Sequence, residues 1–252
     1  VTNNDKGLAL VTGASYGVGA AVAKALARDG WRVAITATRI ENAAATAEAI
    51  RAAGGDCIVR ALDLRSQDSI GEAVDSLWRE APVRALVNNA AVNLRRDAVD
   101  VSREDWDTVM LANLTGTFFL TQAVGKRLIE AGLDGSIVTM ASSHGILGAP
   151  QRSTYGISKA GLIQMVRMLA VEWGPKNIRL NALAPGRLET DSPSRAGTGS
   201  DAAYMGKMLS KIPLGRFATG EDVAAMAAFL VGPGGRSITG QVIPIDGGMS
   251  AA

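Results

Sequence analysis

Ser142, Ser143, Tyr155 and Lys159 all fall in the stretch IVTMASSHGILGAPQRSTYGISKAG, residues 137–161. Tyr155 and Lys159 are four apart, so on a helix running through GISKAGLIQMVRMLAVEW they share one face, one turn from each other. A phenol beside an ammonium is equipped for proton transfer. Free tyrosine ionises near pH 10, roughly three units too high to exchange protons readily around neutrality. A cation at roughly 4 Å contributes about 4 kcal/mol at an effective dielectric near 20. That is about three pKa units, enough to bring the phenol to about 7, with desolvation opposing. Pairs of this spacing also arise on ordinary helices by chance, so the rest of the chain has to decide. Ser142 or Ser143 with the lone His144 suggests a serine nucleophile instead, but no G-x-S-x-G elbow surrounds either serine, and His144 reads as a loop residue. One histidine and one cysteine, far apart, do not make a metal site.

The elements around this stretch follow a regular alternation. GLALVT, RVAITA, CIVRALD, ALVNNA, SIVTMA, IRLNALA and QVIPID read as strands, separated by helical patterns such as GAAVAKALARDG, ENAAATAEAIRAAGG and SQDSIGEAVDSLWREA. Strand and helix in turn mean βαβ units and a parallel sheet. The expected fold is α/β: a Rossmann-type, doubly wound, seven-stranded parallel sheet with helices on both faces, in a single domain over 1–252. ETDSPSRAGTGSD, residues 189–201, is rich in Ser, Gly and Thr. It reads as part of a flexible substrate lid at about 187–212, or as a plain surface loop. The helix carrying Tyr155 is apolar on nearly every face, through Ala160, Leu162, Ile163, Met165, Val166, Met168, Leu169, Val171 and Trp173. Such a helix is buried on more than one side. One side suits the sheet and the other a second subunit, which predicts a homo-oligomer, a dimer or tetramer.

The first strand runs into GASYGVGAAVAKALA, where Gly13, Gly17 and Gly19 open a helix. Glycines at a strand-to-helix turn let backbone N–H groups approach a pyrophosphate at the positive helix end, and Ser15, Tyr16 and Val18 lie along that loop. The second strand ends in Ala37, Thr38 and Arg39 with no acid. An acid there would accept from both ribose hydroxyls of NAD, and would repel a 2′-phosphate by about 4 kcal/mol at close range. Its absence, with Arg39 able to pair with that phosphate, predicts NADP(H) in preference to NAD(H). Asp63 and Leu64 close the third strand, where the carboxylate can accept from an adenine amino group or cap a turn. Asn88 and Asn89 close the fourth, placed to bridge strands and touch the adenosine ribose.

Composition narrows the partners. Hydrophobic residues make up 47% and charged residues 20%, as in ordinary globular chains. A net charge of +2 without a basic block argues against nucleic acid or an anionic membrane. VTNNDKGLALVTG does not resemble a signal peptide, no stretch approaches the roughly 18 apolar residues of a membrane span, and Cys57 has no partner for a disulfide. A cytoplasmic protein with small-molecule partners is expected, and Cys57 reads as a small buried hydrophobe on a strand.

With these residues in view, the chain resembles the short-chain dehydrogenase/reductase family over nearly its whole length. The resemblance rests on TGASYGVG, VNNAA, Asn113 in LANLTG, Ser142 with YGISK, and APGRLET, in that order and spacing. It implies an oxidoreductase that interconverts a ketone and a secondary alcohol by hydride transfer. Tyr155 would be the general acid/base, Ser142 would hold the carbonyl oxygen, Lys159 would bind the nicotinamide ribose, and Asn113 would sustain a water relay from a slightly opened helix. Pro185, Gly186, Leu188 and Thr190 would line the nicotinamide side. Two positions depart from the family pattern: Ala91 stands where glycine is usual, and Tyr16 where many NADP-using members have arginine.

Within the family the chain looks most like 3-oxoacyl-carrier-protein reductases and sugar or polyol dehydrogenases. Glu130 and Asp134 in LIEAGLDG lie where a carrier protein would want basic residues, which favours a small polar carbonyl or alcohol. Arg95, Arg96 and Arg152 could meet an anionic group or remain solvated loop charges. A non-catalytic dinucleotide-binding sensor or scaffold on the same fold is the alternative, since fold does not fix function.

Overall fold

Parallel strands covered by helices need short apolar runs, and the seven runs provide them, the five inner strands being the most deeply buried. The computed structural model describes residues 6–189, 206 and 208–252. Its strands are β1 (Leu8–Thr12), β2 (Arg32–Ala37), β3 (Cys57–Ala61), β4 (Val83–Asn88), β5 (Gly135–Met140), β6 (Ile178–Pro185) and β7 (Val242–Ile245). The helices are α1 (Gly17–Arg28), α2 (Ala44–Ala52), α3 (Gln67–Glu80), α4 (Arg103–Met110), α5 (Gly116–Ala131), α6 (Ser153–Trp173) and α7 (Gly220–Val231). Each of the seven expected strands is present.

All pairings are parallel and the strand order is β3-β2-β1-β4-β5-β6-β7. The chain winds outward from β1 through β2 to β3, then returns to place β4 on the other side of β1. That reversal is the switch point at which open α/β sheets leave a crevice above the strand C-termini. The period of two along β1 divides the core. Leu8 and Leu10 pack with Ile70 and Leu77 of α3, Leu120 and Leu128 of α5, and Leu162 and Val166 of α6. Ala9 and Val11 face the other way, with Val22 and Leu26 of α1, Ile50 of α2, and Val223 and Leu230 of α7. Each fully buried Leu, Ile or Val contributes about 1.5–3 kcal/mol.

Glycines stop α1 and α2. Gly30 (φ 80°) and Gly54 (φ 83°) adopt left-handed backbone. Trp31 N–H reaches Leu26 O at 3.0 Å and Gly55 N–H reaches Ile50 O at 2.9 Å, so orphan carbonyls of the last turn are satisfied. Ser102 with Asp105 and Thr219 with Asp222 form reciprocal capping boxes that start α4 and α7. Both fix helices that flank the strand ends.

The 21-residue α6 turns Leu162, Met165, Val166 and Leu169 inward. Its other side leaves Ile157, Met168 and Val171 exposed, the last two at 61% and 81%. Cys57 is buried on β3, and burial raises its thiol above the usual range. No helix among the described residues is long and apolar enough to cross a membrane, and no group of His, Cys, Asp or Glu among them could hold a metal ion. Thr190 and most of the span expected as a lid, 187–212, lie outside the described residues.

Candidate functional site

Between β1 and α1 the chain turns through two left-handed glycines, Gly13 (φ 63°) and Gly17 (φ 59°). A Cβ on Gly13 would stand 2.7 Å from Ala90 Cα, and one on Gly19 would stand 2.5 Å from both Asn89 Nδ2 and Gly13 O. Backbone therefore packs on backbone with no room for side chains. Asn89 clamps this loop: its amide donates to Thr12 O at 3.0 Å and Gly13 O at 2.9 Å, while Thr12 Oγ1 accepts from Asn89 N–H and Ala90 N–H. The Asn89 amide N–H groups are thus engaged within the loop, whereas Asn88 bonds Thr121 and Thr139 in the core. The first turn of α1 holds no acidic side chain. Its N-terminal N–H groups and the helix dipole offer an anion site. Tyr16 is exposed as the residue before α1, Val18 is half-buried, and Ser15 O accepts from Thr46 Oγ1 at 3.2 Å.

Farther along the same edge, Thr38 and Arg39 are exposed beyond β2. Asp63 is held by Arg65, with Nε to Oδ1 at 3.0 Å, Nη2 to Oδ2 at 2.8 Å and Arg65 N–H to Oδ1 at 2.9 Å. Those guanidinium bonds hold the carboxyl below the usual carboxylate range. Of the two roles open to Asp63 in the sequence, the observed bonds are those of the turn cap. Leu64 is buried, and its carbonyl lies so close to Gly116 that a Cβ there would approach to 2.0 Å. Pro185 ends β6, Gly186 N–H bonds Ile245 O at 3.0 Å, and Leu188 bridges to Ala218.

Ser142 lies just past the end of β5, and Tyr155 and Lys159 lie on the turns of α6 that face it. Ser142 follows β5 and caps a short turn, with its Oγ accepting from His144 N–H at 3.2 Å. Two glycines let this turn press on α6. A Cβ on Gly145 would lie 2.9 Å from the Lys159 carbonyl carbon, and one on Gly156 would lie 2.8 Å from His144 O. The His144 ring then stands edge-on to Tyr155, centroids 6.4 Å apart. Lys159 is 3% exposed and donates from Nζ to Met140 O at 2.7 Å, 5.6 Å from the centre of the Tyr155 ring. Burial lowers its amine from 10.5 to about 8, leaving it mostly cationic at neutrality.

Asn113 sits in a π-helical turn, Leu111–Thr115, that opens the junction of α4 and α5. It is 0% exposed. Its Oδ1 accepts from Val92 N–H at 2.7 Å, and its Nδ2 donates to Val92 O at 2.9 Å and Ser158 Oγ at 3.2 Å. Ser158 in turn donates to Tyr155 O at 2.7 Å. Asn113 thereby ties the loop after β4 to the first turns of α6. Sequence reasoning missed Ser158 and the backbone role of His144. For Ser158 the available signal was a small polar residue three positions past Tyr155 in an otherwise apolar helix.

Two loops form the rim above. Arg95 Nε donates to Gln151 Oε1 at 2.8 Å, Arg96 N–H to Gln151 O at 3.2 Å, and Arg152 to Asn93 Oδ1. Arg96 also pairs with Asp105. Glu130 and Asp134 lie elsewhere. Asp134 precedes β5 and pairs with Arg84, and Glu130 lies 3.8 Å from Lys126 on the last turns of α5. Asp134 therefore sits at the opposite edge of a parallel sheet from the strand C-termini, and these two acids carry no argument about the mouth of the site.

A family model described as enoyl-(acyl carrier protein) reductase matches residues 13–250. D-threitol dehydrogenase of Mycolicibacterium smegmatis is 38% identical over 245 residues, 97% of this chain and 93% of that protein. A 3-oxoacyl-[acyl-carrier-protein] reductase of Aquifex aeolicus is 37% identical over 247 residues, 96% of each chain. Among solved structures, a short-chain alcohol dehydrogenase, provisionally so named, from Sinorhizobium meliloti 1021 superposes with a TM-score of 0.93 at 39% identity, covering 97% of this chain and 96% of that one. Another, from Agrobacterium tumefaciens, provisionally named 2-deoxy-D-gluconate 3-dehydrogenase and holding NADP, gives 0.90 at 35% identity with the same coverage. With the switch-point crevice, the glycine turn and the Ser142, Tyr155 and Lys159 cluster, these likenesses identify the chain as a member of the short-chain dehydrogenase/reductase family of oxidoreductases.

Proposed function

We propose that the protein is an NADP(H)-dependent oxidoreductase that interconverts a small polar ketone and the corresponding secondary alcohol, with Tyr155 as the general acid/base. The observation that carries this reading is the buried Lys159 amine 5.6 Å from the Tyr155 ring, beside Ser142 at the strand ends. The glycine turn fits a dinucleotide, because the left-handed Gly13 and Gly17 carry the chain tightly into the N-terminus of α1 and the first turn of that helix is free of acids. Pro185, Gly186 and Leu188 would hold the nicotinamide side of the cofactor, which when bound would supply or accept the hydride. The remaining steps belong to the side chains. Ser142 Oγ accepts from His144 N–H, which leaves its own O–H to donate to the substrate oxygen. Tyr155 gives its proton to the forming alkoxide in reduction and takes it back in oxidation. Lys159 supplies the positive charge that makes the phenol a stronger acid. Asn113 fixes the helix opening from which a water relay would serve the amine.

Several observations support the finer choices. Arg39 beyond β2, without an acid at 37–39, supports NADP(H), as does the Agrobacterium tumefaciens neighbour that holds it. The rim of Asn93, Arg95, Gln151 and Arg152 supports a polar substrate over a long acyl chain, in line with the threitol dehydrogenase relative. The exposed Met168 and Val171 on the outer side of α6 support a homo-oligomer, a dimer or tetramer, that covers them.

Tyr155→Phe should lower turnover of a ketone by at least about a thousandfold, followed by NADPH absorbance, while leaving dinucleotide binding within about threefold. Tight cofactor binding without turnover by the parent on any ketone or alcohol would make it a sensor instead. For the cofactor, kcat/KM with NADP(H) should exceed that with NAD(H), and Arg39→Ala should narrow the ratio by about tenfold; comparable or better use of NAD(H) by the parent refutes the preference. Light scattering should give a mass above the 26.0 kDa chain and Val171→Glu should lower it; a monomeric parent rules out the covered face.

Lys159 also makes a stability prediction. Its folded value of about 8 lies below the unfolded 10.5, so the unfolded state binds more protons between these limits and stability rises as pH climbs through that window. Below pH 8 the buried cation costs about 3 kcal/mol. Lys159→Met should therefore be inactive yet more stable than the parent at pH 7 in denaturant unfolding, by about 2 kcal/mol after the hydrogen bond to Met140 O is lost. The gap should close between pH 8 and 10.5. A variant less stable than the parent at pH 7 would contradict the assigned burden.

A further inference from the structure

The chain continues past β7 into a turn that packs against the loop after β6. Asp246, 6% exposed, accepts Gly248 N–H on Oδ1 and Ser250 N–H on Oδ2, both at 2.9 Å. Gly186 lies directly on this aspartate: a Cβ there would come within 2.8 Å of Asp246 Cβ and 2.9 Å of its Cα. The neighbouring peptide reinforces the contact, with Gly186 N–H on Ile245 O at 3.0 Å. The same turn holds a third segment. Leu214 N–H bonds Gly247 O at 3.0 Å, and a Cβ on Gly247 would stand 2.5 Å from Ile212 Cγ2. That segment returns to the first loop, since Glu189 N–H bonds Ala218 O at 3.0 Å beside the Leu188 to Ala218 bridge. Residues 185–189, 212–218 and 245–250 therefore form a closed ring of contacts with the Asp246 carboxylate holding one corner.

We propose that Asp246 is a positioning residue: by fixing the 246–250 turn it sets the height of Pro185, Gly186 and Leu188, and so the seat of the nicotinamide half of the cofactor. The inference rests on the dinucleotide reading above. A carboxylate with both oxygens on backbone N–H groups tolerates little displacement of the turn, because loss of either bond strands a buried polar group. Gly186 passes any displacement directly to the loop because it meets Asp246 without intervening side-chain atoms. The glycine turn after β1 and the Arg39 end lie at other strand termini, outside this ring.

Calorimetry separates a positioning role from a merely structural one. The parent, Asp246→Asn and Asp246→Ala are titrated with the whole dinucleotide and with the fragment lacking nicotinamide, ADP-ribose or its 2′-phosphate, in whichever phosphorylation state the parent prefers. The expected result is graded: the alanine variant binds the whole dinucleotide at least about tenfold more weakly, the asparagine variant less so, and the fragment within about twofold of the parent. Ser250→Pro removes one donor without touching Asp246 and should reproduce the pattern if the aspartate variants fold poorly. Equal weakening of both ligands, or no weakening of the whole dinucleotide, overturns the proposal. A parent that binds neither ligand fails the dinucleotide reading itself, and the positioning role with it.

Discussion

A charged amine buried beside a phenol is the constraint around which the active end of the molecule is arranged. Taking an ammonium out of water is expensive, and the fall of Lys159 to about 8 records that expense. The protein accepts it because α6 lies across the end of β5, where Met140 O is available to the amine at 2.7 Å. Were the same lysine on the outer side of α6, it would be fully solvated and its field screened by water before reaching the phenol. Burial weakens the amine as a base and strengthens it as a charge.

Packing without side chains recurs wherever this arrangement has to be held in register. Gly145 and Gly156 bring the Ser142 turn onto α6, Gly13 and Gly19 bring α1 onto its loop, and Gly186 brings the β6 loop onto the final turn. At each place a methyl group would force backbone apart by a substantial fraction of an ångström. Hydrogen bonds then lock the approach: Asn89 across the glycine loop, Asn113 and Ser158 across to Tyr155, Asp246 across the last turn. The glycine loop, the Ser142 turn and the loop after β6 are thus each seated by a close approach that only glycine permits.

Much of this was legible in the sequence for identifiable reasons. Parallel strands give short, largely apolar runs, so β1 to β7 could be read directly, and the glycines at 30 and 54 in the quoted helical patterns adopt positive φ at the helix ends. The Tyr155 and Lys159 spacing translated into one helix face because i and i+4 always do. What escaped were pairings between residues distant in the chain. Asn89 meeting Gly13 joins the ends of two strands, and Asn113 meeting Ser158 joins the π-helical turn to α6. Glu130 and Asp134 misled because their place in the chain does not say which edge of the sheet they occupy; the direction of β5 does.

Direct titration of the Tyr155 phenol tests the central claim most closely. Followed by ultraviolet difference absorbance or by NMR of a ring-labelled tyrosine, with Tyr16 and Tyr204 replaced by phenylalanine, the phenol should ionise well below its usual range in the parent. In Lys159→Met it should return to that range or rise above it, since desolvation then acts unopposed. If the phenol ionises at the same pH with and without the lysine, the cation does not tune it, and the account of this site as a proton-transfer centre fails.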